Sequence, residues 1–296
     1  MKKAFVIVFI LFLIVLGLLW YLKKDEIKII EVAKENKLAV TFLDIGQGDA
    51  TFIQFPDGQQ MLVDCAIDAR IIEALGRVME FYDHDLDYLL ITHPDLDHYG
   101  GCVEVLNRFE VKHIIYTGFR KDDNDFWVAF WQAIQTEEAE YTEIDHDDVW
   151  KIASTTVHFL YPDHSIVENP NIPGYNKDTG INNTSIVFTL DQAGTKVLLT
   201  GDAEAELEEY LLQTYGEQLK ADILKASHHG SAGASIQEFI DMVSPKYAVF
   251  SAGANNNFGH PSLRVIRRLE RAGSTIWRTD LQGDIVCEVG DRIICK

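Results

Sequence analysis

Short apolar runs separated by turn signals recur from residue 38 to the end of this 296-residue chain. Runs that alternate or form compact apolar stretches predict strands at 38–45, 51–55, 60–65, 86–92, 111–117, 155–161, 184–190, 196–200, 223–226, 247–251 and 275–295. Helical spacing predicts helices at 71–81, 99–109, 124–136, 203–215 and 263–272. Strands and helices are interleaved in both halves, which predicts an α/β (α+β) fold of two packed sheets with helices on their outer faces.

The stretch 4–22 carries no charged residue over 19 positions, and lysine pairs flank it on both sides. That length matches a bilayer core, and Trp20 and Tyr21 fall where an interfacial aromatic belt would lie. The small residues that precede a signal-peptide cleavage point are missing. We therefore expect a single-pass cell-membrane protein with its globular domain outside, or a secreted protein if the segment is cleaved. The predicted domains are a transmembrane signal anchor at 1–24, a linker at 25–37 and a globular domain at 38–296.

The densest polar cluster follows the apolar run 86–92, where the chain continues Thr-His-Pro-Asp-Leu-Asp-His-Tyr-Gly-Gly. Its metal-ligand side chains fall within six positions and are His93, Asp95, Asp97 and His98. Carboxylates and imidazoles packed this tightly suit divalent metals, which turn water into a nucleophile. The simpler interpretation is an acidic helix N-terminus with two incidental histidines.

Further polar residues stand next to other apolar runs. Most of them follow a predicted strand, whereas the two asparagines precede one and the last histidine lies one loop beyond its strand. They are Asp64, Asn182, Asn183, Asp202, His228, His229 and His260. Strand ends that share one sheet edge bring distant residues together on rigid supports. The sequence therefore predicts a site that binds one or two divalent ions, zinc or manganese. Asp49 is expected to support a strand turn rather than to react.

These stretches resemble the metallo-β-lactamase superfamily, and within it the hydrolase domain of ComEC-type competence proteins. The resemblance covers about residues 38 to 290. It is carried by Phe-Leu-Asp-Ile-Gly-Gln-Gly-Asp-Ala at 42–50, Leu-Val-Asp-Cys at 62–65, the 92–101 cluster, Leu-Leu-Thr-Gly-Asp-Ala at 198–203, Leu-Lys-Ala-Ser-His-His-Gly-Ser at 224–231 and Ser-Ala-Gly-Ala-Asn-Asn-Asn-Phe-Gly-His-Pro-Ser at 251–262. The resemblance implies a four-layer αββα sandwich with a metal site at one edge.

The resemblance also implies roles for the residues that match its motifs. His93 and Asp95 would hold one metal, and Asp97 and His98 the other. The resemblance further implies that Asp202 bridges the metals, that His229 completes the ligands of the second ion and that Asp64 orients a ligand from behind. For the reaction itself, we predict that Asp97 activates the water and that His228 or His260 assists the leaving oxygen, with binding of a substrate phosphate or simple packing as the alternatives for His260. Asn183 is predicted to lie near the cofactor. Which of His228 and His229 binds metal stays open, and Asp95 in place of a histidine shifts the preference toward manganese.

The predicted function is an extracytoplasmic metal-dependent hydrolase, a phosphodiesterase or DNA nuclease whose partners are DNA or another phosphodiester. A membrane contact through the N-terminal helix is also expected. The net charge of −20 argues against broad nucleic-acid binding, but bound cations reverse the local potential at a metal centre. Hydrolysis of another ester is the alternative, with a cell-wall phosphocholine ester, a lactone or a β-lactam as substrate. A non-catalytic DNA-binding module is the third hypothesis.

Four cysteines do not make a disulfide framework at this length. Cys65 and Cys102 are predicted to be small buried hydrophobic residues. Cys287 and Cys295 flank a terminal hairpin, so a disulfide between them depends on the register of that hairpin.

Overall fold

The computed structural model describes residues 37–121, 124–290 and 292–296, and Leu38–Lys296 forms one compact unit. The predicted membrane anchor at 4–22 lies outside the described residues. None of the helices in the described ranges combines the length and the apolar character that a membrane span requires. The expected single-pass location at the cell membrane is corrected to this extent, since the described ranges hold no helix that supports it.

Fifteen strands form two sheets in the described part of the chain. The first sheet has the order β15-β14-β1-β2-β3-β4-β5-β6 and comprises β1 (Leu38–Phe42), β2 (Thr51–Gln54), β3 (Gln60–Val63), β4 (Asp85–Leu90), β5 (Glu110–Tyr116), β6 (Glu140–Glu143), β14 (Ile285–Val289) and β15 (Ile294–Cys295). The second has the order β13-β12-β11-β10-β9-β8-β7 and comprises β7 (Asp148–Ile152), β8 (Thr155–Tyr161), β9 (Val187–Gln192), β10 (Thr195–Leu199), β11 (Ile223–Lys225), β12 (Tyr247–Phe250) and β13 (Thr275–Arg278).

Helices connect many of these strands. They are α1 (Arg70–Val78), α2 (Leu96–Tyr99), α3 (Cys102–Leu106), α4 (Asp125–Thr136), α5 (Ala205–Tyr215), α6 (Gln237–Val243), α7 (Leu263–Arg271) and α8 (Thr279–Gln282). Three short 3-10 turns lie at Ile181–Thr184, Gly216–Leu219 and Ser227–Gly230.

Three apolar clusters define the layers. One is built from the inward faces of both sheets and includes Phe42, Phe159 and Phe188. The second joins the first sheet to α1, α3 and α4 around Trp127, and the third joins the second sheet to α5, α6 and α7 around Phe239. Apolar residues therefore bury both faces of each sheet. The predicted four-layer αββα sandwich is confirmed.

The predicted helix at 99–109 is two helices, because the chain makes a close approach at Gly100 and Gly101. A Cβ atom on Gly100 would lie 2.2 Å from the carbonyl oxygen of Ile67, and one on Gly101 would lie 2.2 Å from that of Cys65. Only glycine permits this backbone contact. It presses the segment that carries His98 against the chain that follows β3.

Both pairs of cysteines form disulfides, Cys65 with Cys102 and Cys287 with Cys295. The terminal hairpin pairs Cys287 directly opposite Cys295, which is the register that a disulfide requires. Cys65 and Cys102 are fully buried, as predicted, but the expectation that they act only as small hydrophobic residues is wrong. Their bond links the residue after Asp64 to the first residue of α3.

Parallel pairing places the predicted polar residues at one edge of each sheet. β3, β4 and β5 run parallel in the first sheet, and β10, β11 and β12 run parallel in the second. The carboxyl ends of neighbouring parallel strands lie side by side. Asp64 follows β3 and Asp202 follows β10, so residues far apart in sequence converge on one place.

A candidate metal centre between the two sheets

Four buried side chains converge at this edge of the sandwich. Asp49, His98, Asp202 and His229 each offer one ligand atom, and these atoms lie within 4.8 Å of one another. Asp49 precedes β2, His98 belongs to α2, and the other two follow β10 and β11. Both sheets therefore contribute to a single cluster of two carboxylates and two imidazoles.

Asp202 stands at the centre of the cluster. Its Oδ2 atom lies 3.3 Å from Nε2 of His98 and 3.3 Å from Nε2 of His229. Nε2 of His228 is farther away, at 3.7 Å. The backbone N–H of Asp202 donates to Oγ of Ser185 at 3.0 Å, which fixes the turn that carries the carboxylate. Three imidazoles thus face one carboxylate oxygen.

The imidazole nitrogens in the cluster fit a metal ion. Within the described ranges, the buried Nε2 atoms of His93, His98 and His229 have no hydrogen-bond partner. Buried polar atoms are nearly always hydrogen-bonded, so three such atoms beside carboxylates indicate ligand positions. The opposite nitrogen of two rings is held in place, since Nδ1 of His98 lies 2.7 Å from Oδ2 of Asp64 and Nδ1 of His229 lies 3.0 Å from the Ser251 carbonyl oxygen. Such outer contacts orient metal-binding histidines.

Asp64 makes the contacts that its predicted orienting role requires. Its carboxylate accepts hydrogen bonds at 2.8 Å from both the backbone N–H and the hydroxyl of Thr92. Burial raises the pKa of Asp64, although the neighbouring His98 opposes that shift. The residue is fully enclosed and lies behind His98 rather than inside the cluster. It therefore connects β3 to the loop after β4 at the point where the ligand side chains begin.

The carboxylates set the proton affinity of the histidines. Burial alone would lower the pKa of His229, but the charges of Asp202 and Asp49 raise it to about 10. The pKa of His98 is raised in the same way, against burial, by Asp202 and Asp64. His93 differs, because burial and the charge of His98 lower its pKa. His93 thus keeps a free lone pair, which is the form that binds a metal.

The two remaining predicted ligands lie at the open rim. Oδ2 of Asp97 is 3.4 Å from Nε2 of His229, and 29% of its side chain is exposed. Burial opposes ionisation of Asp97, yet the neighbouring imidazoles of His229 and His98 hold its pKa below its usual range. Oδ1 of Asp95 is 3.1 Å from Nζ of Lys121, while its Oδ2 is 3.9 Å from Nε2 of His93. Lys121 therefore competes with a metal ion for the carboxylate of Asp95.

A protein-family model described as the metallo-beta-lactamase superfamily matches residues 43–254. The chain belongs to the metallo-beta-lactamase superfamily. Its sequence is 32% identical over 272 residues to ComE operon protein 3 of Bacillus subtilis (strain 168), covering 86% of this chain and 33% of that protein. It is 30% identical over 264 residues to competence protein ComA of Neisseria gonorrhoeae, covering 88% of this chain and 33% of that protein. The predicted resemblance to competence proteins is confirmed, and the chain spans about a third of the length of these curated relatives.

Among solved structures, the chain is similar to the metallo-beta-lactamase fold protein YhfI from Bacillus subtilis. The TM-score is 0.53 at 12% identity, over 86% of this chain and 100% of that chain. At this identity the likeness shows the fold alone. The superfamily fold and the four-residue cluster together indicate a metal-dependent hydrolase that binds a divalent ion.

Two residues of this superfamily site escaped the sequence-based prediction. Asp49 was expected to support a strand turn, yet its carboxylate is buried inside the cluster. Nζ of Lys225 contacts Asp49, donates to the Gly201 carbonyl oxygen at 2.8 Å and lies 3.8 Å from Oδ1 of Asp202. Burial would lower the pKa of Lys225, but Asp49 and Asp202 raise it. A lysine inside the otherwise apolar run 223–226 was the signal that could have identified this internal ion pair.

His228 and Asn183 lie beside the superfamily cluster. Nδ1 of His228 is 3.3 Å from Oε1 of Glu204, and 21% of the side chain of His228 is exposed. The amide of Asn183 donates to the Thr179 carbonyl oxygen at 2.6 Å and accepts from the Glu204 backbone N–H at 2.9 Å. These contacts brace the segment beside His228. A cofactor-binding role for Asn183 stays a prediction.

His260 covers the cluster from the loop before α7. Its ring centroid is 5.4 Å from that of His228 and 6.1 Å from that of His229, the latter pair being nearly parallel. Burial lowers the pKa of His260, and the charges of His229 and His228 lower it further. The ring is therefore neutral near pH 7 and lies between the cluster and solvent.

A buried acid supports the turn that carries His228 and His229. Glu208 of α5 accepts hydrogen bonds from the Ser227 hydroxyl at 2.7 Å and from the backbone N–H groups of Ser235 and Ile236, each at 2.8 Å. Burial raises the pKa of Glu208 to about 7, despite these hydrogen bonds. The folded chain therefore binds a proton here that the unfolded chain releases at lower pH.

Proposed function

We propose that this chain is a divalent-metal-dependent phosphodiesterase that cleaves nucleic acid. The observation that carries the proposal is the Asp49, His98, Asp202 and His229 cluster, with orphaned imidazole nitrogens and a carboxylate-rich rim. Oxygen ligands beside imidazoles favour zinc or manganese, one ion or two. The similarity to competence proteins supports a nucleic-acid substrate.

A metal bound by these residues would supply a Lewis acid for a phosphoryl oxygen and lower the pKa of water. Asp97 has a partly exposed carboxylate next to the cluster, so it orients the attacking water and accepts its proton. His228 presents Nε2 to the same space while Glu204 holds its Nδ1. This pairing suits His228 to deliver a proton to the leaving oxygen. The lowered pKa of His260 suits a neutral contact with the substrate instead.

The test is a hydrolysis assay on the full chain with Mn²⁺ or Zn²⁺. Substrates are single-stranded DNA, duplex DNA and bis(p-nitrophenyl) phosphate. Asp202→Ala and Asp97→Ala should each lower kcat/KM by about 100-fold or more. Asp145→Ala is the matched control, since that carboxylate pairs with exposed His146 away from the cluster. If Asp97→Ala and Asp202→Ala both retain wild-type hydrolysis, the proposal is wrong.

The same assay separates the other hypotheses. Hydrolysis of nitrocefin, a lactone or a phosphocholine ester without any cleavage of phosphodiesters would assign another ester to the site. Absence of stoichiometric metal from the purified chain after reconstitution, together with retained DNA binding, would instead favour a non-catalytic module.

A further inference from the structure

The helix α7 concentrates positive charge in a strongly acidic chain. Its sequence Leu-Arg-Val-Ile-Arg-Arg-Leu-Glu-Arg holds four arginines in nine residues, against a net charge of −20 overall. Arg264, Arg267 and Arg271 are spaced three and four residues apart, so they share one face of the helix. All three are exposed, whereas the opposite face buries Val265, Ile266 and Leu269. This arginine face is the exposed side of an amphipathic helix.

The arginine face is not neutralised from within the described part of the chain. Over residues 37–121, 124–290 and 292–296, no carboxylate forms an ion pair with Arg264, Arg267 or Arg271, although Glu270 lies in the same helix. Nε of Arg271 donates to the Arg267 carbonyl oxygen at 3.1 Å, which uses a single donor of five. The guanidinium groups are therefore open to an external anion.

The arginine face begins directly beside the metal centre. Ser262 caps α7, and its backbone N–H donates to the Gly230 carbonyl oxygen at 2.9 Å. Gly230 follows His229 in the chain, and His260 precedes Ser262 by two residues. Arg268 adds a second tie, because its Nη1 donates to the Ser235 carbonyl oxygen at 3.0 Å. The helix is thus fixed relative to the ligand-bearing turn.

An exposed aromatic ring packs on His260, in the loop that leads into α7. Phe258 is 70% exposed, and its ring lies 5.8 Å from that of His260 with an interplanar angle of 27°. His260 in turn lies 6.1 Å from His229 at 28°. A nearly parallel series of rings therefore runs from a buried candidate ligand to the surface. An exposed ring next to cationic side chains is the combination that binds unpaired bases.

We propose that Phe258 and the arginine face of α7 form a binding track for single-stranded nucleic acid. A base stacks on Phe258, and successive phosphates contact Arg264, Arg267 and Arg271. Seven residues of helix extend about 10 Å, enough to contact more than one phosphate. The acidic remainder of the surface repels the strand, so it is confined to this track. The track rests on the proposed phosphodiesterase function, for which it supplies the substrate-positioning surface.

The first test is fluorescence-anisotropy binding of a labelled oligothymidylate of about 20 nucleotides to the full chain, in EDTA to prevent cleavage. The variant is Arg264→Gln/Arg267→Gln/Arg271→Gln. Loss of three phosphate contacts should reduce the slope of log K against log salt by about 2 and weaken binding by about 100-fold at 0.1 M salt. The variant Arg264→Lys/Arg267→Lys/Arg271→Lys, the triple lysine variant, keeps the positive charge. It should keep most of the slope of log K against log salt.

The matched control removes the same charge elsewhere. Arg108→Gln/Lys112→Gln/Lys246→Gln neutralises three exposed cations that are already paired with Glu104, Asp87 and Asp222. It should leave affinity within about threefold of wild type, since paired surface charges contribute little. The proposal is overturned if this control weakens binding as much as the arginine variant, or if the triple lysine variant loses as much as the glutamine one.

Phe258 is tested with a strand that lacks bases. Phe258→Ala should weaken binding of oligothymidylate by about tenfold, and Phe258→Trp should restore it. On an abasic strand of equal length, wild type and Phe258→Ala should bind alike. An equal loss on both strands would show that the ring does not stack on a base.

Two further outcomes separate this track from the proposed catalysis. If wild type hydrolyses neither DNA nor bis(p-nitrophenyl) phosphate with Mn²⁺ or Zn²⁺, the proposed function fails, while binding in EDTA still decides the track. If the enzyme is active, the arginine variant should lower the ratio of DNA to small-ester kcat/KM by about the same factor as it lowers affinity. The arginine variant is also tested for binding to vesicles of anionic phospholipid. If it binds these vesicles more weakly than wild type but keeps the DNA affinity of wild type, the arginine face binds a lipid surface and the track is overturned.

Discussion

The bond between Cys65 and Cys102 should contribute more to stability than any other covalent link in the described ranges. It closes a loop with a sequence separation of 37, and that loop contains the segment from His93 to His98. The bond between Cys287 and Cys295 closes a loop with a sequence separation of only 8. From loop-closure entropy, the first should stabilise the fold by about 4 kcal/mol and the second by about 2.5 kcal/mol.

The assay is urea unfolding of the full chain in metal-free buffer, followed by tryptophan fluorescence. Trp127 is a suitable reporter, because its ring packs 4.8 Å from that of Tyr99 at the end of α2. Cys65→Ala/Cys102→Ala should lower the free energy of unfolding by about 4 kcal/mol, plus the cost of two lost buried sulfur atoms. Cys287→Ala/Cys295→Ala is the matched control.

Wild type treated with a thiol reductant should lose stability without any change in sequence. The reasoning is refuted if Cys65→Ala/Cys102→Ala costs less than about 1 kcal/mol, or no more than the hairpin control. A larger m-value should accompany the loss, since an uncrosslinked unfolded chain exposes more surface.

Three further predictions concern the buried charges around the cluster. Lys225→Met should cost about 3–5 kcal/mol in urea unfolding because the buried carboxylate of Asp49 loses its lysine partner, and Asp49→Asn/Lys225→Met should recover part of that loss. Asp64→Asn should weaken Mn²⁺ or Zn²⁺ binding by about 10- to 100-fold in calorimetry, since the ring of His98 loses its anionic partner; unchanged affinity would contradict the orienting role. Glu208 keeps its proton in the folded state up to about pH 7, so its contribution to stability is present below its unfolded pKa and is lost as pH rises toward 7. Between pH 5 and pH 8, the free energy of unfolding of Glu208→Gln in urea should therefore rise by on the order of 3 kcal/mol relative to that of wild type. If the two free energies change with pH in parallel, the pKa of Glu208 is not raised.

The layers of the fold follow from hydrophobic pattern, whereas several edge elements do not. Central strands such as β4 and β10 are short apolar runs, and a buried run of that kind predicts a strand. β6 and β7 were missed because Glu-Tyr-Thr-Glu and Asp-Val-Trp-Lys-Ile are largely exposed and polar. α6 was missed because a seven-residue segment holds less than two full turns of helical spacing.

The candidate site was predictable where spacing or repetition marked it. The segment from His93 to His98 and the pair His228 and His229 are dense enough in ligand side chains to stand out from sequence alone. Asp49 and Lys225 are single charged residues in separate strand regions, and only the folded chain brings them together. The disulfide of Cys65 was hidden for the same reason, because pairing over a long loop depends on three-dimensional proximity.

The division of the cluster between two sheets has a consequence for how the chain can be cut and rejoined. Asp49 and His98 precede the exposed loop between β8 and β9, whereas Asp202 and His229 follow it. Cleavage near Val167 in that loop, where the side chain is 56% exposed, would leave two ligands on each fragment. Neither fragment could then hold an ion as the intact cluster would, so a divalent metal should drive their complementation. Metal-dependent reassembly of co-expressed fragments would make the centre a reporter of the docking of the two sheets.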